Sequence, residues 1–373
     1  FKKAADLSEG VGDEYTAGLS HVPLEKYDKA LECGEKTKDI YLSSWALGEI
    51  AYETYYRAHA TEDPDLRLRV AEEAMGYYDK EQQYSTIMSF QVRGTGKLAA
   101  PAPGGYAEYY WDRARWEITL ENKLELLEES EKAGSEALKA AEALDIPFFI
   151  TRMYHLLSGT LTERASLEQD VNTKRGLLEK AMEYREKNIE IWEGLAPYHY
   201  WNMGYYQNLL GNIKVELAHL QQDLDSKRMF LEDAASTLDT SLETMIKYTP
   251  NMDTRLYATL SRYQEGYGAI LTRLYELTED PKHLRKAIAT WRMAIESARE
   301  VDMTARIAES YWSIAKAQDV LGERPEAAES FMKASENYVK TAEKIPQLKE
   351  FYQEYASYMR AWSEIEKAKR HHA

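Results

Sequence analysis

Residues suited to contact outnumber residues spaced for covalent chemistry in this chain of 373 residues. It holds 28 tyrosines and 8 tryptophans. They are densest at Tyr198-His199-Tyr200-Trp201-Asn202, with Tyr205, Tyr206 and Asn208 just beyond. Tyr257, Tyr263 and Tyr267 continue the theme further along, with Arg255 and Arg262 beside them. Tyr and Trp offer rigid apolar area with a polar tip, which suits recognition of a peptide. Asn and Arg at the same place could fix a peptide backbone or a carboxylate. The expected binding set is therefore Tyr198, Trp201, Asn202, Tyr205, Asn208, Arg255, Tyr257, Tyr263 and Tyr267. Any one of these aromatics is more readily a packing residue between helices, and only the set as a whole argues for a surface.

The usual catalytic constellations are missing from the sequence. Gly94-Thr95-Gly96-Lys97 looks like part of a phosphate loop, but Leu98 stands where the Mg²⁺-binding hydroxyl belongs, and no strand precedes it. Glu216-Leu217-Ala218-His219 is half of a di-iron carboxylate pattern, without a second copy. Cys33, the single cysteine, sits in a helical stretch with no evident histidine partner. Adjacent carboxylates such as Glu72-Glu73 and Glu128-Glu129 read as solvated helix faces. No catalytic residue, cofactor or metal is expected, and the chain reads as a non-enzyme.

Charge narrows the partners. Lys and Arg total 47 against 63 Asp and Glu, a net charge of −16. A phosphate-backbone binder needs a basic face, so nucleic acid is an improbable partner. The acid excess keeps a long surface soluble and would favour a basic partner peptide. Apolar residues make up 44% of the chain, enough for a large core. No apolar run approaches the ~18 residues that span a bilayer, so membrane insertion is not expected. One cysteine makes the cytoplasm the default compartment.

The elements that must position these residues are helices. Apolar positions recur at three- and four-residue steps, as in Leu177, Leu178, Ala181 and Met182. Thr61-Glu62-Asp63-Pro64 and Thr278-Glu279-Asp280-Pro281 are two copies of one tetrapeptide, each with Asp as N-cap and Pro at the first helical position. The spacing predicts first helices near 41–61, 106–121, 147–168, 199–222, 252–277 and 304–321. Second helices follow near 24–38, 65–82, 123–144, 172–194, 225–247, 282–300 and 325–344, and a last helix begins near 348. Residues 94–105 read as an irregular loop, and no second domain boundary is visible. The first residue is Phe1 and the last stretch is charged and helical in pattern. The chain is therefore expected to be a piece of a longer protein, with His371 and His372 either native or a tag remnant.

The second helices align on a small residue that would let each sit close to its neighbour. The aligned positions are Ala30, Ala74, Ala133, Ala181, Ala234, Ala287 and Ala327, spaced 44, 59, 48, 53, 53 and 40 residues apart. The last unit, 308–341, is the sharpest. Tyr311, Ile314, Ala315, Gly322, Ala327, Phe331 and Ala334 stand at its pattern positions, and it resembles a tetratricopeptide repeat. Gln318 departs from the pattern where an aromatic is usual. The preceding second helix repeats the signature as Ala287, Trp291 and Ala294. Most other units exceed the usual ~34 residues. Their long helices resemble the sensor arrays of STAND-type signalling ATPases and of proteins associated with CHAT proteases. The resemblance implies an all-α solenoid of six to seven antiparallel hairpins over 1–373, wound as a right-handed superhelix with first helices lining its concave side. It implies a non-catalytic scaffold holding a peptide or protein surface in that groove. The alternative it implies is a sensor segment of a larger signalling enzyme (a STAND ATPase, a cyclase or a CHAT protease), whose partner would be other domains of its own chain.

Overall fold

The computed structural model describes residues 26–38, 40–93, 119–143, 147–195, 200–247 and 254–369, with separate positions between 107 and 117. Helices account for almost all of these residues, and no strand occurs among them. They are α1 (Tyr27–Thr37), α2 (Ile40–Ala60), α3 (Pro64–Arg93), α4 (Leu120–Ala143), α5 (Pro147–Leu167), α6 (Val171–Leu195) and α7 (Tyr200–His219). There follow α8 (Leu224–Ile246), α9 (Thr254–Thr278), α10 (Pro281–Glu300), α11 (Thr304–Val320), α12 (Arg324–Lys344) and α13 (Lys349–Lys369). Most bounds fall within two or three residues of the sequence expectation. α3 runs further, to Arg93. The expected irregular loop at 94–105 lies outside the described residues.

The bounds are set by local chemistry. Asp63 Oδ1 accepts from the backbone N–H groups of Asp65 and Leu66, each at 2.9 Å. Asp170 accepts from Thr173 N at 2.8 Å, Asp223 from Ser226 N at 2.7 Å and Asp280 from Lys282 N at 3.0 Å. Four second helices thus begin on an aspartate that satisfies amides the helix leaves without partners. These bonds hold the Asp170 and Asp223 carboxyls below the usual carboxylate range. At the other end, Glu279, Asp302 and Gly322 terminate helices in the left-handed region, with φ of 55°, 53° and 77°.

The chain divides into two compact units, 1–191 and 192–373. In the second, each helix from α7 to α13 packs on the next. In the first, α1 packs on α2, α2 on α3 and α4 on α5. The small residues do what close approach requires. Ala30, Ala74, Ala181, Ala234, Ala287 and Ala327 are all 0% exposed. Ala133 is the exception. It is half-buried, and the close approach in α4 is made by Gly134, where an added Cβ would lie 3.0 Å from Leu157 Cδ2. The stripe Ser130, Gly134, Ala137, Ala141 faces the neighbours, so the expected register was one residue off there. In the last repeat, the pattern positions Ala308, Ile314, Ala315, Ala327, Phe331 and Ala334 are all buried, while Tyr311 is only partly buried against the same cluster.

A second device recurs at the joints, and the sequence reading missed it. Buried serines donate across to a backbone carbonyl of the adjoining helix. Ser158 donates to Ala181 at 2.8 Å and Ser241 to Gly204 at 2.6 Å. Ser261 donates to Ala294 at 3.0 Å, Ser335 to Ala356 at 2.7 Å and Ser363 to Ala328 at 2.8 Å. Ser130 does the same to Ala107 at 2.8 Å. The acceptors are Ala or Gly, because only a small residue lets a short hydroxyl reach the neighbouring backbone.

The first unit also buries charge. Arg185 is 1% exposed, and its Nη1 lies 2.8 Å from His155 Nδ1 while Nη2 donates to the His155 carbonyl at 3.2 Å. The Trp111 ring stands edge-on to His155 at 5.4 Å, and the Arg115 guanidinium lies 3.8 Å over the Trp111 ring. Burial, reinforced by Arg185, Arg115 and Arg152, holds the His155 imidazole well below its ordinary range. The ring is therefore neutral, and Nδ1 accepts from the guanidinium.

Candidate interaction surface

Two consecutive first helices carry the aromatic set, and the structure brings part of it together. Tyr205 of α7 and Tyr263 of α9 lie with ring centroids 6.4 Å apart at 34°. Tyr206 meets Tyr205 edge-on at 5.4 Å and the Trp192 ring at 6.1 Å. Trp192 is buried and anchors this row, while Tyr205, Tyr206 and Tyr263 stay half-buried. Ring pairs in offset or edge geometry add modest attraction beyond their buried area. Such a row is thus held in shape before any partner arrives. Tyr257 is also half-buried, on the first turn of α9.

Two expected members are not surface residues. Asn208 is 1% exposed and accepts from Asn212 Nδ2 at 3.0 Å. It shares a face of α7 with Gly204 and Gly211, which approach Met245 and Leu238 of α8, so it faces its own hairpin. Tyr267 is 3% exposed and lies against the α10 side, with Lys286 Nζ 5.5 Å over its ring and Lys286 in turn on Asp239 at 2.7 Å. Burial raises the Tyr267 hydroxyl above its usual range, opposed by Lys286 and reinforced by Asp239. Both are corrected from binding residues to packing residues. Tyr198 lies outside the described residues. Trp201, Asn202 and Arg255 stand on helical backbone, but their side chains lie outside them.

Two arrangements escaped the sequence reading. Glu265 of α9 is ion-paired with Arg306 and accepts from Ser310 Oγ at 3.0 Å, which ties the hairpin α9–α10 to α11. Burial pushes the Glu265 carboxyl up to about 7, against the opposing pull of Arg306 and Ser310. The other is a cleft of about 330 Å³ lined by His219, Lys227, Leu231, Arg273, Glu276 and Leu277. The Glu216–His219 pair, singled out for its metal-like spacing, has its imidazole bonded to Arg273 and 3.8 Å from Glu216. No group of three or more metal-ligating side chains occurs among the described residues. No described helix is long and apolar enough to cross a membrane.

The chain is an all-α helical-repeat protein: from α7 to α13 each helix packs on the next, and Ala308, Ala315, Ala327, Phe331 and Ala334 of its last repeat are buried. No protein-family model matches it, and no curated protein does. Solved structures similar to it include a circular tandem repeat protein with novel repeat topology and enhanced subunit contact surfaces, at 16% identity and a TM-score of 0.26, covering 98% of this chain and 94% of that one. Another is a Signal Transduction ATPase with Numerous Domains from Pyrococcus horikoshii that carries a tetratricopeptide repeat sensor. It shows 17% identity and a TM-score of 0.23 over 68% of this chain, which spans 43% of that protein. Scores this low do not identify a family or an activity.

Proposed function

We propose that this chain is a non-catalytic scaffold that holds a peptide or protein surface against the aromatic row of α7 and α9. The observation that carries the reading is the pairing of Tyr205 with Tyr263. Two hairpins contribute one ring each to a single partly exposed platform, and rings that served core packing alone would be covered on all sides. The acid excess of the chain makes a basic segment the matching partner. Reading 1–373 as one continuous array, with the cytoplasm as its compartment, belongs to the same proposal.

The test compares wild type with Tyr205→Ala/Tyr263→Ala as baits for native partners, with binding re-measured on the purified partner. Loss of roughly 2 kcal/mol or more of binding with an unchanged melting curve is the expected outcome. Equal binding by both proteins, or a collapse of folding in the variant, would place the two rings in the core instead. A second reading is a sensor segment of a larger signalling enzyme. Helices of 25 and 30 residues in α6, α9 and α3 favour it, because they exceed what a short repeat needs. In that case the ligand of the row is another part of the same polypeptide.

A further inference from the structure

We propose that the cleft at the ends of α7, α8 and α9 binds a phosphate monoester carried on a small apolar body, a role separate from the aromatic row. Three nitrogen-bearing side chains converge there from three helices: His219 at the end of α7, Lys227 in the first turn of α8, and Arg273 on α9. Against a chain of net charge −16, such a cluster runs counter to the background. Leu231 and Leu277 also line the cleft, and Leu231 is fully buried. The volume of about 330 Å³ suits one ring-sized body with its charged group.

The donor set favours a phosphate over a carboxylate. A guanidinium and an ammonium approach from separate helices, and their two positive charges match a doubly charged phosphate better than a singly charged carboxylate. Arg273 directs one N–H at His219 Nε2, so the imidazole proton sits on Nδ1, on the side of Glu216. The guanidinium fork carries five N–H donors, and one bond to the imidazole leaves the others for an oxyanion. Glu276 is the one carboxylate on the wall and opposes an anion. It therefore supplies a test with a defined sign.

The experiment is calorimetric titration of the full chain with phenyl phosphate, benzoate and inorganic phosphate at low salt. Phenyl phosphate is expected to bind at least about tenfold more tightly than benzoate, since an added charge-assisted bond contributes about that much. It should also exceed inorganic phosphate, which leaves the partly exposed Leu277 uncovered. Arg273→Ala and Lys227→Ala should each weaken phenyl phosphate about tenfold, and Glu276→Gln should strengthen it about threefold. All three residues lie at the surface, and far-UV circular dichroism checks that each variant folds. If one fails, the remaining two decide. No phenyl phosphate binding, no preference over benzoate, or affinity unmoved by these substitutions would overturn the proposal.

Discussion

At the residue scale, space is the limiting quantity. An added Cβ on Gly268 would lie 2.5 Å from Trp291 Nε1, so the indole has to move to admit it. Gly268→Ala should therefore cost about 1–3 kcal/mol, despite the better helix propensity of alanine. Ala287→Leu should cost a similar amount by overpacking the same hairpin; a melting curve unchanged in either variant would refute the register. Charge is limiting at His155. Its folded-state pKa lies below the unfolded value, so the unfolded chain binds more protons in acid. This contribution to stability is intact above pH of about 6.5 and is lost as pH falls below it. His155→Gln should flatten that part of the stability profile, measured by urea unfolding between pH 4.5 and 7.5. The opposite sign applies to Glu265, whose carboxyl is raised to about 7 when folded. Its protonated form favours the folded state, so its contribution is full below the ordinary glutamate range and is lost as pH rises through about 7. Glu265→Gln should remove that loss.

At the element scale, helix punctuation was the most legible part of the sequence. The two Thr-Glu-Asp-Pro copies marked helix starts because Asp accepts from orphan amides and Pro lacks the amide that would need a partner. Asp280→Ala should cost about 1 kcal/mol. Glu279→Gly should stabilise by a similar amount, because Glu279 holds φ of 55° that glycine adopts without strain. Chemical denaturation of the two single variants checks both signs. What the period of a helix does not reveal is which apolar stripe serves which neighbour. A stacked helix buries one stripe against its hairpin partner and another against the next hairpin. Asn208 and Tyr267 fell on those stripes, three or four residues from Tyr205 and Tyr263, which did not. Ala133 was read in place of Gly134 for the same reason.

At the scale of the whole chain, repetition made the architecture readable while the sites stayed hidden. The alanine alignment found six fully buried positions because close helix approach leaves a mark at one residue. The cleft left no such mark. Arg273 and His219 are 54 residues apart in sequence and meet only because α9 returns alongside the end of α7. The tie from Glu265 to Arg306 spans 41 residues in the same way.

The serine bonds carry a mechanical consequence. Each hydroxyl engages one carbonyl of the adjoining helix, and the next equivalent carbonyl is a full turn away, about 5.4 Å along the axis. A helix cannot creep past its neighbour by a fraction of that distance without first letting go. The joints therefore act as detents. Under a pulling force the second unit should extend in discrete yields of one hairpin at a time, and replacing Ser261 and Ser335 with alanine should lower the force of those yields while leaving their lengths the same.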